Sequence, residues 1–210
     1  MFQTKRRLWF SILIIGLTFI ILLGLGTCTD GLLSPLPYRY LDTFSGKVID
    51  AVSKKPIQGA VILAVYYKES LSIAGSNSFV VDGQETLSDD QGEFLIPRKI
   101  RLFPLFRGYT EGNLIIFKPG YGAFPKHKMS TAVGVNKSWP PPKKYIVYEL
   151  PKLESLQARV KTVLGLRVKY DLQFSKQTII IEKINNEFKY LGINDRYIEE
   201  DGKPIRTIER

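Results

Sequence analysis

The sequence predicts a mainly β domain that follows an N-terminal membrane segment. From Phe44 to Leu150, short runs of β-branched and aromatic residues recur between turn signals about every ten residues. This spacing is typical of sandwiches and barrels rather than of α/β folds. Before these runs, residues 8–27 carry no charge and are mostly apolar, and a helix of about 20 such residues spans a bilayer. We therefore expect a β-sandwich or barrel behind a transmembrane or signal helix.

Composition narrows the classes of function. The 210 residues are 44% hydrophobic and 12% aromatic, which suits one domain with a targeting segment and an extension. The net charge is +10, but the bases are scattered, so we expect a solvated basic surface and no nucleic-acid partner. Cys28 and His127 are the only cysteine and histidine, which excludes Cys/His zinc sites and a Cys–His catalytic pair in the folded body.

The N-terminal segment, residues 1–28, has two interpretations that both end at a membrane. The basic cluster at residues 5–7 should stay in the cytoplasm and send the rest outward, to the periplasmic or extracellular side. In the first interpretation the apolar run is an uncleaved signal anchor. In the second it is a cleaved signal, because "LGTC" at residues 25–28 resembles a bacterial lipobox with Cys28 as the lipidated residue, although Thr27 departs from the usual small residue.

The body is expected at residues 43–150, after a Gly- and Pro-containing tether at residues 29–42. The nearly continuous apolar run at residues 60–67 is predicted to be buried on both faces. Residues 69–82 are predicted to be a surface loop, and residues 98–112 fit no clear pattern. The predicted strands are 44–50, 60–67, 85–88, 93–96, 113–118 and 144–150.

Four motifs in the body resemble the carboxypeptidase regulatory-like domain. They are "FSGKVID", "PIQGA", "SDDQGEF" and "KPGY", in this order within residues 43–150. The resemblance implies a transthyretin-like β-sandwich of about seven strands with an accessory, non-catalytic role in protein–protein or protein–glycan contact. The matching residues are Gly46, Val48, Pro56, Ile57, Gly59, Ala60, Asp89, Gly92, Phe94, Lys118, Gly120 and Tyr121.

The acidic cluster Asp89, Asp90 and Glu93 could be a calcium loop, a pair of catalytic acids or a hairpin turn. A calcium loop needs more ligands at alternating positions and a final glutamate, and nothing marks a substrate cleft beside the acids. The turn is favoured because Gly92 can supply a positive φ and Asp89 can accept hydrogen bonds from the turn's backbone. Phe94 is then expected in the core.

The segment at residues 151–210 is predicted to be a helical extension with a mobile tail. Apolar residues at helical spacing indicate a short helix at residues 152–164. A second helix is expected from an N-cap at Ser175 to a stop at Gly192, although the β-branched run 178–181 would also suit a strand. Residues 194–210 alternate in charge and are predicted to be the tail.

The sequence predicts a non-catalytic, membrane-tethered β-sandwich that contacts a protein or glycan at the bacterial cell envelope. No catalytic, cofactor or metal residue is assigned. A carbohydrate-binding module is the alternative, with Tyr66, Tyr67, Tyr121 or Trp139 stacking on sugars, against ordinary core or sheet-edge packing. A transthyretin-related hydrolase is disfavoured. Enzymes of that family have several histidines and a C-terminal tetrapeptide that ends in serine, whereas this chain has one histidine and ends "TIER".

Overall fold

The computed structural model describes residues 38–72, 75–102, 110–125, 144–166, 168–169, 171–200 and 203–208. Within these residues the fold is mainly β, as predicted, with two helices near the C-terminus. The strands are β1 (Tyr38–Leu41), β2 (Phe44–Asp50), β3 (Val61–Ser72), β4 (Gly75–Leu87), β5 (Glu93–Ile96), β6 (Lys99–Leu102), β7 (Thr110–Phe117), β8 (Tyr145–Leu150), β9 (Asp195–Glu200) and β10 (Lys203–Ile208). The helices are α1 (Leu156–Gly165) and α2 (Thr178–Tyr190).

The first three-stranded sheet has the order β5-β2-β8. Strand β2 pairs antiparallel with β5 and parallel with β8. Along β2, buried positions alternate with half-buried ones, as expected for a strand with one face on a core. A Cβ added at Gly46 would collide with the carbonyl oxygen of Ile146, so the close approach of β2 and β8 requires glycine there.

Strands β1 and β6 form a two-stranded ribbon that continues the β2–β5 ladder. Leu41 pairs with Lys99 in the ribbon, and Phe44 pairs with Ile96 in the sheet. Both strands advance by the same number of residues between these two pairs, so the register is preserved across the gap. Pro97 lies in the gap, and proline cannot donate a ladder hydrogen bond.

The second three-stranded sheet is antiparallel with the order β4-β3-β7. Residues 61–66 of β3 are all almost fully buried, which confirms the prediction that this run is covered on both faces. A shift in the β3–β4 register between Tyr66 and Tyr67 marks a β-bulge, where one extra residue increases the local twist.

Side chains from both three-stranded sheets meet in one apolar cluster. Ile62, Ala64 and Tyr66 of β3 contribute one face of it, and Val48 and Phe44 of β2 contribute the other. The remaining buried members are Leu41, Ile57, Ala60, Phe94, Ile96, Leu114, Ile116, Phe124, Tyr148 and Leu150.

The opposite face of β3 is covered by the C-terminal segment. Val61, Leu63 and Val65 point into a second apolar cluster that includes residues of α2 and β9. The helical and hairpin members are Val163, Ile180, Ile181, Ile184, Phe188 and Tyr197. The molecule is therefore layered, with the helices and the β9–β10 hairpin over one sheet.

The structure corrects four sequence predictions. The tether prediction at residues 29–42 is wrong for Tyr38–Leu41, which form β1. The predicted loop at residues 69–82 is largely strand, because β3 and β4 form one long hairpin. The predicted mobile tail forms the β9–β10 hairpin. The N-cap of α2 is Gln177 rather than Ser175, which lies in a 3₁₀ turn at Phe174–Lys176.

Candidate interaction site

Ser88 joins two of the motifs that carry the resemblance. The Ser88 hydroxyl donates a hydrogen bond to the Ile57 carbonyl at 2.7 Å and accepts one from the Ala60 N–H at 2.9 Å. The Ser88 N–H donates to the Ala60 carbonyl, and the Gly59 N–H donates to the Ser88 carbonyl. Ser88 is buried, so these bonds satisfy polar groups that water cannot reach.

The acidic cluster forms the turn between β4 and β5. Asp89 Oδ1 accepts hydrogen bonds from the backbone N–H groups of Gln91 and Glu93, at 3.0 and 2.7 Å. The Gly92 N–H donates to the Asp89 carbonyl, and Gly92 has a φ of +75°. Asp90 is exposed. Among the described residues, no three Asp, Glu, His or Cys side chains are grouped as a metal site requires.

The turn is also bonded to β2. The Val48 N–H donates to the Gly92 carbonyl at 2.8 Å, and the Ile57 N–H donates to the Val48 carbonyl at 2.9 Å. Phe94 is buried, as predicted, with its ring centroid 5.9 Å from that of Tyr148. The acidic cluster thus has a structural role, in which one carboxylate organises a turn that is bonded to the neighbouring strand.

The last motif, at residues 118–121, makes the turn after β7. Gly120 has a φ of +81°, and Tyr121 packs half-buried against the first cluster and forms a β-bridge with Lys152. Burial raises the pKa of the Tyr121 hydroxyl, and the nearby Asp50 carboxylate adds to this effect.

The three described aromatic residues proposed for sugar stacking, Tyr66, Tyr67 and Tyr121, do not form an open platform. Tyr66 is buried, and its hydroxyl donates to the Asp42 carbonyl at 2.8 Å. Tyr67 is half-buried, with Lys169 Nζ 5.5 Å from its ring centroid. Trp139 lies outside the described residues, as do Cys28 and His127.

A buried carboxylate, Asp82, links β4 to β6 and to the 3₁₀ turn. Asp82 contacts Lys99 at 3.2 Å and Lys176 at 3.7 Å, and it accepts a hydrogen bond from the Gly83 N–H at 2.9 Å. Burial alone would raise the pKa of Asp82, but this hydrogen bond and the two lysines outweigh burial and lower it. The cluster therefore favours the charged carboxylate and joins three elements by ionic contacts.

A second carboxylate, Glu85, caps helix α2 from strand β4. Its oxygens accept hydrogen bonds from the backbone N–H groups of Ile179 and Ile180, at 2.9 and 2.8 Å. Burial raises the pKa of Glu85, and the two backbone donors offset part of that effect. The first-turn N–H groups of α2, which have no partner within the helix, are thereby satisfied by a residue distant in the sequence.

The helical layer carries an exposed tyrosine that packs on a largely covered arginine. Arg159 of α1 forms a two-pronged ion pair with Glu187 of α2, with both N–O distances at 2.8 Å. This ion pair raises the pKa of Arg159. The Arg159 guanidinium lies 4.3 Å from the ring centroid of Tyr190, which is 67% exposed, and Leu156 of α1 is 63% exposed. We call Leu156, Arg159 and Tyr190 the Tyr190 patch.

No family model, no curated protein and no solved structure matches this chain. Within the described residues, no helix has the length and apolar character needed to cross a membrane. The apolar run at residues 8–27 lies outside them.

Sequence reasoning missed Ser88, Glu85 and the Arg159–Glu187 pair. Ser88 stands at the first position of the "SDDQGEF" motif, directly after β4, and it is buried next to the exposed Leu87. Glu187 lies seven residues after Ile180, on the apolar stripe of α2. A charge on a buried stripe requires a partner, and this signal could have indicated the ion pair. Nothing local indicates that Glu85 caps α2.

Proposed function

We propose that this chain is a non-catalytic, membrane-tethered domain that binds another protein at the outer side of a bacterial cell envelope. The observation that carries the proposal is the Tyr190 patch. Tyrosine and arginine are enriched in protein interfaces and dominate their binding energy. The patch belongs to the helical layer, and its large aromatic ring is exposed to solvent.

Preorganisation of Arg159 supports the assignment. Its guanidinium is already held by Glu187, and only 16% of its side chain is exposed. Because binding does not have to order this arginine, little side-chain entropy is lost at the contact. The Tyr190 ring on the guanidinium adds a rigid surface with few rotamers to restrict.

The tether and the fold are part of the same proposal. The basic cluster at residues 5–7 and the apolar run at residues 8–27 support anchoring or lipidation at a membrane, with the body outside. The motif roles of Gly46, Gly92 and Phe94 support a transthyretin-like sandwich of the carboxypeptidase regulatory-like kind. On this proposal the sandwich is the scaffold, and the helical layer provides the contact.

Photocrosslinking in the native membrane tests the proposal. A photoreactive amino acid at position 190 should give discrete protein adducts, identified by mass spectrometry, whereas the same group at Val52, which is 86% exposed, should not. Leu156→Ser removes the exposed aliphatic side chain of the Tyr190 patch and should reduce the adducts about fivefold, which corresponds to ~1 kcal/mol. Leu164→Ser, on the same helix, is the matched control. Equal adducts at positions 190 and 52 would contradict the proposal.

Glycan binding is the second candidate, and the exposed Tyr190 ring favours it, because sugars pack on open aromatic faces. The purified chain would then be retained on peptidoglycan or on a glycan array, and Tyr190→Ala would abolish retention. Retention of the variant would exclude Tyr190 as the sugar platform.

A further inference from the structure

The outward face of the first sheet carries apolar side chains that are open to solvent. Along β5, β2 and β8, positions buried in the first cluster alternate with positions that point away from it. Of the outward residues, Leu95, Tyr145 and Val147 are 58%, 55% and 38% exposed. The register arranges six outward residues in two rows, Leu95–Ser45–Tyr145 and Glu93–Lys47–Val147. We call these six residues the Tyr145 face.

The Tyr145 side chain extends across the middle strand of this face. Its hydroxyl donates a hydrogen bond to Glu93 Oε1 at 3.0 Å. Tyr145 and Glu93 belong to the two outer strands, whose backbones are about 10 Å apart because β2 lies between them. The bond can form only if the two side chains extend towards each other over β2, where the small Ser45 leaves room for the ring. The ring is therefore held at both ends, by its own strand and by Glu93.

Two charged groups beside the ring have hydrogen-bonding capacity to spare. Glu93 uses one carboxylate oxygen for Tyr145, and its Oε2 makes no hydrogen bond to a described residue. Lys47 lies opposite Glu93 in the register, yet it forms no ion pair within the part of the chain that the structure describes. A carboxylate accepts hydrogen bonds and an ammonium group donates them. The face thus offers both functions next to an exposed aromatic ring.

This combination fits a sugar better than a protein surface. One face of a sugar ring carries C–H groups, which pack on an aromatic ring because the face of the aromatic ring is electronegative. The sugar hydroxyls both donate and accept hydrogen bonds. The centres of protein interfaces are instead depleted in lysine and glutamate, whereas Lys47 and Glu93 stand in the second row of this face.

The charges of the face favour a neutral glycan. Lys47 and Glu93 have opposite signs and cancel. Desolvation and Glu93 raise the pKa of the Tyr145 hydroxyl, and the Asp89 carboxylate is close enough to add to this effect. Asp90 is exposed in the same turn. An anionic sugar at Tyr145 would therefore be repelled by neighbouring carboxylates.

We propose that the Tyr145 face binds a neutral glycan, with a sugar ring stacked on Tyr145 and its hydroxyls bonded to Glu93 and Lys47. The face lies on the opposite side of the fold from the Tyr190 patch, because both sheets separate it from the helical layer. The site goes beyond the proposed protein contact and depends neither on that contact nor on the membrane tether.

Polysaccharide binding by the full chain tests the site. The chain, purified without sugar-based detergents, is immobilised, and interferometry measures the retention of soluble polysaccharides. The neutral probes are built from glucose, mannose, galactose, xylose or N-acetylglucosamine, and polygalacturonate is the anionic comparison. We expect at least one neutral probe to be retained. Retention of no probe, or of polygalacturonate alone, would overturn the proposal.

Two equally exposed aromatic residues give a matched pair of variants. Tyr145→Leu keeps an apolar side chain but removes the ring, so it should lower the retention of the neutral probe about tenfold or more. Phe79→Leu removes a ring that is also 55% exposed, on β4 of the second sheet, and should leave the retention unchanged. Tyr145→Phe keeps the ring and loses the bond to Glu93. An intermediate loss of about two- to threefold in this variant separates sugar stacking from an effect on folding.

Three results would contradict the assignment. Retention that is indifferent to Tyr145→Leu would exclude the ring as the platform. Retention that is lost with Tyr190→Leu but not with Tyr145→Leu would place the sugar on the Tyr190 patch instead. A dimer in sedimentation that Tyr145→Leu dissociates would show that a second copy of the chain covers this face.

Discussion

At the scale of single residues, the sequence predicted the conformation of the β4–β5 turn but not the hydrogen bonds that join this turn to distant segments. Asp89, Gly92 and Phe94 have the roles that their types and spacing indicate, because a turn is governed by residues within a few positions of each other. Ser88 lies between the same residues, but its hydroxyl bonds Ile57 and Ala60. That contact depends on how two distant segments fold together.

Two glycines give a matched test of backbone strain and steric space. Gly92 and Gly192 have similar φ values, +75° and +66°. A Cβ at Gly92 would collide with the Val48 carbonyl oxygen, whereas a Cβ at Gly192 would meet nothing within 4 Å. Gly192→Ala should cost only the ~1–2 kcal/mol of the left-handed conformation. Gly92→Ala should cost more, about 2–4 kcal/mol, because overpacking adds to the strain. Urea unfolding measures both, with Asp90→Asn as a neutral control, and equal costs would contradict the collision.

At the scale of elements, both helices were predictable from apolar periodicity and so was the end of α2 at Gly192. The N-terminal boundary of α2 was not, because its donors are satisfied by Glu85 of β4 rather than by a local serine. The β9–β10 hairpin was not predicted because its contacts, too, are made with a residue outside the segment. Asn185 of α2 bonds both the N–H and the carbonyl of Tyr197, so a polar segment is held by a residue outside it.

Removal of the long-range cap should loosen the start of α2. Glu85→Ala deletes both acceptors and should lower the free energy of unfolding by ~1–2 kcal/mol, as for other N-cap losses. Hydrogen exchange at the amides of Ile179 and Ile180 should accelerate more than elsewhere in the helix. Glu182→Ala, at an exposed position of α2, provides the control. Unchanged exchange at both amides would show that Glu85 does not cap the helix.

At the scale of the whole molecule, β3 organises two apolar clusters. Its alternate side chains face β2 on one side and α2 on the other. The continuous apolar run at residues 60–67 indicated burial on both faces, but not what covers each face. Helix α2 follows β3 by more than a hundred positions. Periodicity within β3 carries no information about which distant segment covers it.

Truncation tests whether the C-terminal segment is an integral layer. A chain ending at Leu153 would expose Val61, Leu63, Val65 and Phe117 to water, all of which are now buried. A contiguous apolar patch of this kind promotes aggregation, so we expect the truncated chain to be insoluble or to bind a hydrophobic dye. Sedimentation and dye fluorescence measure this. A soluble, cooperatively unfolding truncated chain would contradict the layered arrangement.

The parallel pairing of β2 with β8 has a consequence for the kinetics of folding. Ser45 pairs with Tyr145 and Asp50 with Leu150, so the first sheet closes over a loop that contains the whole second sheet. Such non-local pairing carries a large loop-closure entropy and slows folding. During synthesis, β2 and β5 can pair well before β8 has left the ribosome. The edge of β2 that β8 later occupies is thus open for the longest time, and this is the edge at which a newly made chain is most exposed to pairing with a neighbour.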